Sequence, residues 1–223
     1  MSDLASIARG GVLRATVNTG NRALVQPVEG GFTGISPALG RRLAEEIGAR
    51  LEQVVYSGAG KVFDDALNDR WDVGFLAIDA MRAKSISFTR PYHTIEATYA
   101  VRVGSGIETP EDADRAGLTV LTSTGSAYDM WLTANLKAAR LERSGTPGES
   151  FEEFRGGRGD AVAGVRASLE RHFAGDRGYM VLTGTVAKVE QAMVLPGPDN
   201  PAIKALDDFV ARAIADGFVA THL

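Results

Sequence analysis

Short apolar runs alternate with amphipathic stretches along this chain, and that alternation restricts it to an α/β fold. Val12 to Val17 reads as a buried strand. Ser36 to Gly48, SPALGRRLAEEIG, reads as a helix: Ser36 can cap it, Pro37 suits its first turn, and Gly48 suits its stop. Leu39, Leu43 and Ile47 are evenly spaced at helical repeat and predict a core-facing stripe. Leu51 to Val55 is the next strand, Val62, Phe63, Ala66 and Leu67 mark a short helix, and Val73 to Ile78 is a further strand. This β-α-β-α-β order predicts a parallel sheet with right-handed crossovers.

The pattern then restarts. Ala97 to Val103 is an extended run, followed by the polar segment GSGIETPEDADRAG. Leu118 to Thr122 predicts a strand, and a helix is expected from the Ser123-Thr124-Gly125-Ser126 turn to about Leu141. Met130, Trp131, Ala134, Ala138 and Leu141 would form its buried face. Ala161 to Val165, Tyr179 to Leu182 and Gln191 to Leu195 are further strands. A last helix is expected from Pro201 to Asp216, with Ile203, Leu206, Val210, Ala213 and Ile214 on its apolar stripe. The restart predicts two lobes, residues 1–100 with 192–223 and residues 101–191. Segments 97–103 and 187–195 read as hinge strands joining them, and the cleft between lobes is the natural ligand site. A single continuous sheet fits the same pattern.

Composition excludes several functions. The chain has 223 residues, enough to bury two cores, and a net charge of −4 with the two signs mixed. No basic run or face points to nucleic acid. The absence of cysteine excludes disulfides, thiol nucleophiles and zinc–thiolate sites. His93, His172 and His222 are isolated, with no metal spacing and no nucleophile–base pair, so no metal or other cofactor is expected. No apolar run reaches the roughly 20 residues that span a bilayer. The opening MSDLASIARGG lacks the basic and apolar segments of a secretory signal. Two readings stay open: a signal already removed, or a cytoplasmic chain.

The chemistry-bearing stretch is WDVGFLAIDAMRAKSISFTRPY, Trp71 to Tyr92. Arg82 follows the strand that carries Ala77, and open α/β sheets bind ligands just past the carboxyl ends of their strands. A guanidinium fork suits a carboxylate, held by two parallel hydrogen bonds. Asp79, three residues earlier, either orients Arg82 or receives a ligand ammonium. Asn18 and Asn21 sit in the loop after the opening strand. Lys61 opens a helix as a candidate anion contact, although Gly58-Ala59-Gly60-Lys61 lacks the full phosphate-loop spacing. Glu96 precedes a hinge strand as a candidate acid. Tyr92 and Tyr99 read as packing residues that can present a hydroxyl.

The order of motifs resembles family 3 of the extracellular solute-binding proteins, the amino-acid-binding components of ABC transporters. GGVLRATVNTGN and GGFTGISPALGRRLAEEIG resemble its opening strand and helix, GLTVLTSTGSAYDMWL its second-lobe turn, RGDAVAGV its Gly-x-x-Asp-Ala strand, and NPAIKALDDFVARAIADGFVATHL its closing helix. The resemblance implies a type II periplasmic-binding-protein fold. It also implies a periplasmic monomer that takes a small carboxylate, an amino acid or related organic acid, and presents it to a membrane permease. It assigns the carboxylate to Arg82 and to the turn Gly125-Ser126-Ala127, at a helix N-terminus that favours anions. Where the family carries an ammonium-binding aspartate this chain has Val165, followed by Arg166, so a second guanidinium suited to a dianion or keto acid is a candidate. Cyclohexadienyl dehydratases resemble the same family, so an enzyme with Glu96 or Asp79 as general acid is the alternative. A ligand-sensing domain is a further one.

Overall fold

The computed structural model describes residues 4–223. The elements in chain order are β1 (Val12–Asn18), β2 (Gln26–Val28), β3 (Gly31–Thr33), α1 (Ile35–Glu46), β4 (Arg50–Tyr56), α2 (Ala59–Asp64), β5 (Gly74–Ala77), β6 (Ile86–Arg102), β7 (Thr119–Ser123), α3 (Ala127–Asn135), β8 (Arg140–Ser144), α4 (Pro147–Arg155), β9 (Ala161–Val165), α5 (Arg166–His172), β10 (Tyr179–Val181), β11 (Ala187–Pro196), α6 (Ile203–Ala215) and α7 (Phe218–Thr221). The chain divides into two compact units. The first comprises Met1–Thr19, Leu24–Thr94 and Glu190–Leu223; the second comprises Gly20–Ala23 and Ile95–Val189.

In the first unit β1 and β4 pair in parallel, from Val12↔Arg50 to Asn18↔Tyr56. The segment entering β5 joins β1 in parallel through Thr16 N donating to Val73 O at 3.0 Å. The carboxyl ends of these strands therefore share one edge. On its other side β5 pairs antiparallel with β11, Ala77 opposite Gln191. Val62, Ala66, Trp71, Leu76, Ile86 and Val194 pack as one core cluster, and Trp71 Nε1 donates to Val62 O at 3.1 Å. Asp72, 4% exposed, ties the entry of β5 to β1: its carboxylate accepts from Arg14 N, Nε and Nη2 at 2.9, 3.1 and 2.7 Å.

Helix α1 departs from expectation at its start. Its cap is Gly34, not Ser36. Gly34 has φ +103°, and a β-carbon there would lie 2.4 Å from Leu24 O, so the turn requires glycine. Ser36 lies inside the helix, its amide on Leu24 O and its hydroxyl 3.1 Å from Tyr92 Oη. The stop is as the sequence predicts. Gly48, φ +66°, donates to Glu45 O while Ala49 donates to Ala44 O, the paired bonds of a Schellman end.

In the second unit β9 pairs antiparallel with β6 and parallel with β7, and β7 pairs parallel with β8. Phe151, Phe154, Leu169 and Phe173 fill the core beside Leu121 and Val162. The helix expected to reach Leu141 ends at Asn135, and Leu141 lies on β8. Asp114 is the physical reason. Its carboxylate accepts the amides of Lys137, Ala138 and Ala139 at 2.8 to 3.1 Å, holding those residues in a non-helical turn. Tyr128, Asp129 and Leu132 are buried on α3, whereas Trp131, expected inside, is 39% exposed.

The amide donors, Ala139 foremost, hold the Asp114 carboxyl below its ordinary 3.8. A depressed carboxylate stabilises the fold above its unfolded value, and that stabilisation is lost as pH falls. Asp114→Asn is therefore expected to lower the melting temperature at pH 7. The difference from the parent should narrow as pH falls below 3.8, measured by calorimetry across that range.

Candidate functional site

In the first unit the candidates gather at the shared strand edge. Asn18 ends β1, and the following Thr19 places both its amide and its hydroxyl on Tyr56 O, at the end of β4. Ala77 ends β5. Past it, Asp79 Oδ1 accepts the amides of Met81 and Arg82 at 2.8 and 3.0 Å, closing a turn that carries Arg82 back to the strand end. Arg82 is 2% exposed, and its Nη1 donates to Ala77 O at 3.1 Å. The Phe63 ring lies 5.9 Å from its guanidinium carbon. Burial lowers the Arg82 pKa to about 10, against the opposing pull of Asp79, so the guanidinium remains charged at neutral pH. Asp79 thus positions Arg82 through backbone bonds. Lys61 is exposed on α2, which starts just past the end of β4.

In the second unit the turn after β7 is held by its own neighbours. Gly125, φ +69°, donates its amide to Asp129 Oδ2 at 3.0 Å. Ser126 caps α3, its hydroxyl accepting from Asp129 N at 3.0 Å, and Ala127 is the first helical residue. Asp129 also pairs with Arg143 at 2.9 Å. The sequence reading missed Asp129, although Ser126-Ala127-Tyr128-Asp129 carries the Ser-x-x-acid spacing of a helix start.

Arg166 opens α5 directly after Val165, with its guanidinium turned onto its own unit. Nη1 donates to Leu182 O at 2.7 Å, Nη2 to Thr183 O and Gly184 O at 3.0 Å, and Nε lies 3.3 Å from Glu96. A second guanidinium free for a dianion is not what this geometry offers; Arg166 and Glu96 form an ion pair that pins the 182–184 loop. Asn21 belongs to the short Gly20–Ala23 segment of this unit, beside Ser168, whose hydroxyl accepts from Arg22 N at 3.0 Å and donates to Gly20 O at 3.2 Å. The structure thus brings Asn18, Ala77, Asp79 and Arg82 to one edge of the first unit. Gly125, Ser126, Ala127 and Arg166 lie at the carboxyl ends of β7 and β9 in the second. Among the described residues no helix is long and apolar enough to cross a membrane.

Residues 17–222 match the bacterial extracellular solute-binding proteins, family 3. Cyclohexadienyl dehydratase of Pseudomonas aeruginosa is 30% identical over 145 residues, 63% of this chain. The match spans about half of that relative, 54% of its length. Among solved structures, a mutant of ArgBP from T. maritima superposes with a TM-score of 0.82 at 20% identity, covering 98% of this chain and 96% of that one. An amino acid ABC transporter substrate-binding protein from Streptococcus pneumoniae, bound to L-arginine, gives 0.81 at 17% identity over 98% and 95%. The ancestral amino acid-binding protein AncCDT-1, a precursor of cyclohexadienyl dehydratase, gives 0.79 at 20% identity over 98% and 96%. The fold is that of the type II periplasmic binding proteins.

Proposed function

We propose a function from a fixed premise: the chain belongs to the bacterial extracellular solute-binding proteins, family 3. Its ligand is a small carboxylate, an amino acid or related organic acid, which it delivers outside the cytoplasm to an ABC permease. The observation that carries this reading is Arg82, a buried, charged guanidinium delivered by a tight turn to the carboxyl edge of a parallel sheet. A carboxylate is the ligand group that matches such a fork in charge and in shape. Asn18, which ends β1 on the same edge of the first unit, is a proposed further contact. Val165, at the position of the family's usual ammonium partner, weighs against an α-amino group as the main determinant. Isothermal calorimetry with amino acids, keto acids and dicarboxylates tests the reading, and the carboxyl-free amides of the tightest ligands serve as controls. Amides binding as well as the acids would sink it.

A second reading, an enzyme on the same scaffold, is supported by the 30% identity to cyclohexadienyl dehydratase. The side chains proposed for a general acid favour binding over catalysis. Glu96 is ion-paired with Arg166, and Asp79 Oδ1 carries two backbone amides. Incubation with prephenate and arogenate, followed by product absorbance, is expected to give no turnover.

A further inference from the structure

The second unit holds a pocket of about 360 Å³ that the carboxylate reading leaves unused. It lies at the opposite end of α3 from the Gly125 turn: its lining residues Asp114 and Lys137 precede β7 and β8, whereas Gly125 and Ser126 follow β7. That volume accommodates a small organic molecule. Its walls are of two kinds. Pro110, Leu136 and the exposed face of Trp131 are apolar. Tyr99, Glu111 and Asp114 are polar, and two of them are carboxylates against the single ammonium of Lys137. Asp114 is already engaged by three backbone amides. Tyr99 is 2% exposed, lines the pocket, and has no hydrogen-bond partner for its hydroxyl among the described residues. The ring is buried while the side chain lines the pocket, so its hydroxyl is open on the pocket side to a ligand group.

We propose that this pocket binds a small organic monoamine, its apolar body against Trp131 and its ammonium held by the Tyr99 hydroxyl and the Glu111 carboxylate. An indole face attracts cations as well as apolar groups, so one wall serves both halves of such a ligand. The hydroxyl accepts from the ammonium as a neutral phenol, because burial and the nearby carboxylates of Asp114 and Glu111 push its pKa up. An anion is disfavoured by those same carboxylates.

Phenethylamine, phenethyl alcohol and 3-phenylpropionate are the probes, titrated by calorimetry into the full chain and into its Arg82→Ala variant. The amine is expected to bind both proteins alike, with a Kd on the order of 1 mM, while the alcohol and the acid bind at least about fivefold more weakly. Glu111→Gln, at an exposed position, should weaken the amine about fivefold, and Tyr99→Phe should do so without shifting the unfolding midpoint. Equal binding of amine and alcohol would overturn the proposal. So would amine binding that is lost with Arg82→Ala, or that is untouched by both Glu111→Gln and Tyr99→Phe. None of these results bears on carboxylate binding at Arg82.

Discussion

Arg82→Ala is expected to weaken binding of the tightest carboxylate ligand by about 1000-fold. Two charge-assisted hydrogen bonds, each worth about 2 kcal/mol at a desolvated site, account for a change of that size. The control is Arg82→Lys. It keeps the charge but loses the fork, and should lose about tenfold, because a point charge cannot make both parallel bonds. Affinity should stay flat from neutral pH upward until it falls near pH 10, where the buried guanidinium begins to lose its proton. Calorimetry across pH measures all three. A ligand that binds Arg82→Ala as tightly as the parent would remove Arg82 from the site, whatever the family.

Asp72→Ala is expected to destabilise the chain by about 3 kcal/mol without touching the ligand's contacts. The Asp72 carboxylate is buried and meets Arg14 with three donors, and Arg9 approaches it at 3.3 Å. Removing it deletes three hydrogen bonds that tie the entry of β5 to β1 and leaves Arg14 only its contacts with Asp69, and hydrogen bonds to a charged group are worth about 1.5–3 kcal/mol each. Asp69 is the internal comparison. It meets the same two arginines from an exposed position, where solvent screens the pairing, so Asp69→Ala should move the midpoint far less than Asp72→Ala. Urea unfolding with an unchanged slope separates the two variants; equal midpoints would mean that burial at Asp72 does not matter.

Strands β1, β4, β5, β7, β9 and β11 were legible in the sequence as short runs rich in apolar residues between turns, whereas the short β2 and β3 and the polar β8, RLERS, were not. The boundaries that slipped did so for tertiary reasons. Ser36 has the chemistry of a cap, yet Gly34 holds the position because Leu24 O lies where a β-carbon would be. The periodic apolar residues after Ser126 continue to Leu141, but Asp114, distant in sequence, takes three amides out of the helix. Helices α4 and α5 escaped notice. The first is announced only by Thr146-Pro147 ahead of Glu149, with Gly148 weakening the pattern, and the second has no side-chain cap at all. The place of Arg82 just past the end of a strand was readable. The roles of Arg166 and Glu96 were not, because a charge that binds ligand and a charge that pins a loop are alike until the backbone carbonyls around them are placed.

The division of the chain bears on its birth at the ribosome. The main body of the second unit is one continuous segment, Ile95–Val189, and can complete its sheet as soon as that segment has emerged. The first unit waits. Strand β5, which leads to Arg82, pairs with β11, and α6 supplies Leu206, Phe209 and Val210 to the buried core. Until the final stretch is synthesised, β5 presents an unpaired edge that invites association with other nascent chains. The turn that carries Arg82 is thus written early and finished last, so a chain stalled before its closing helix would carry Arg82 without the structure that holds it.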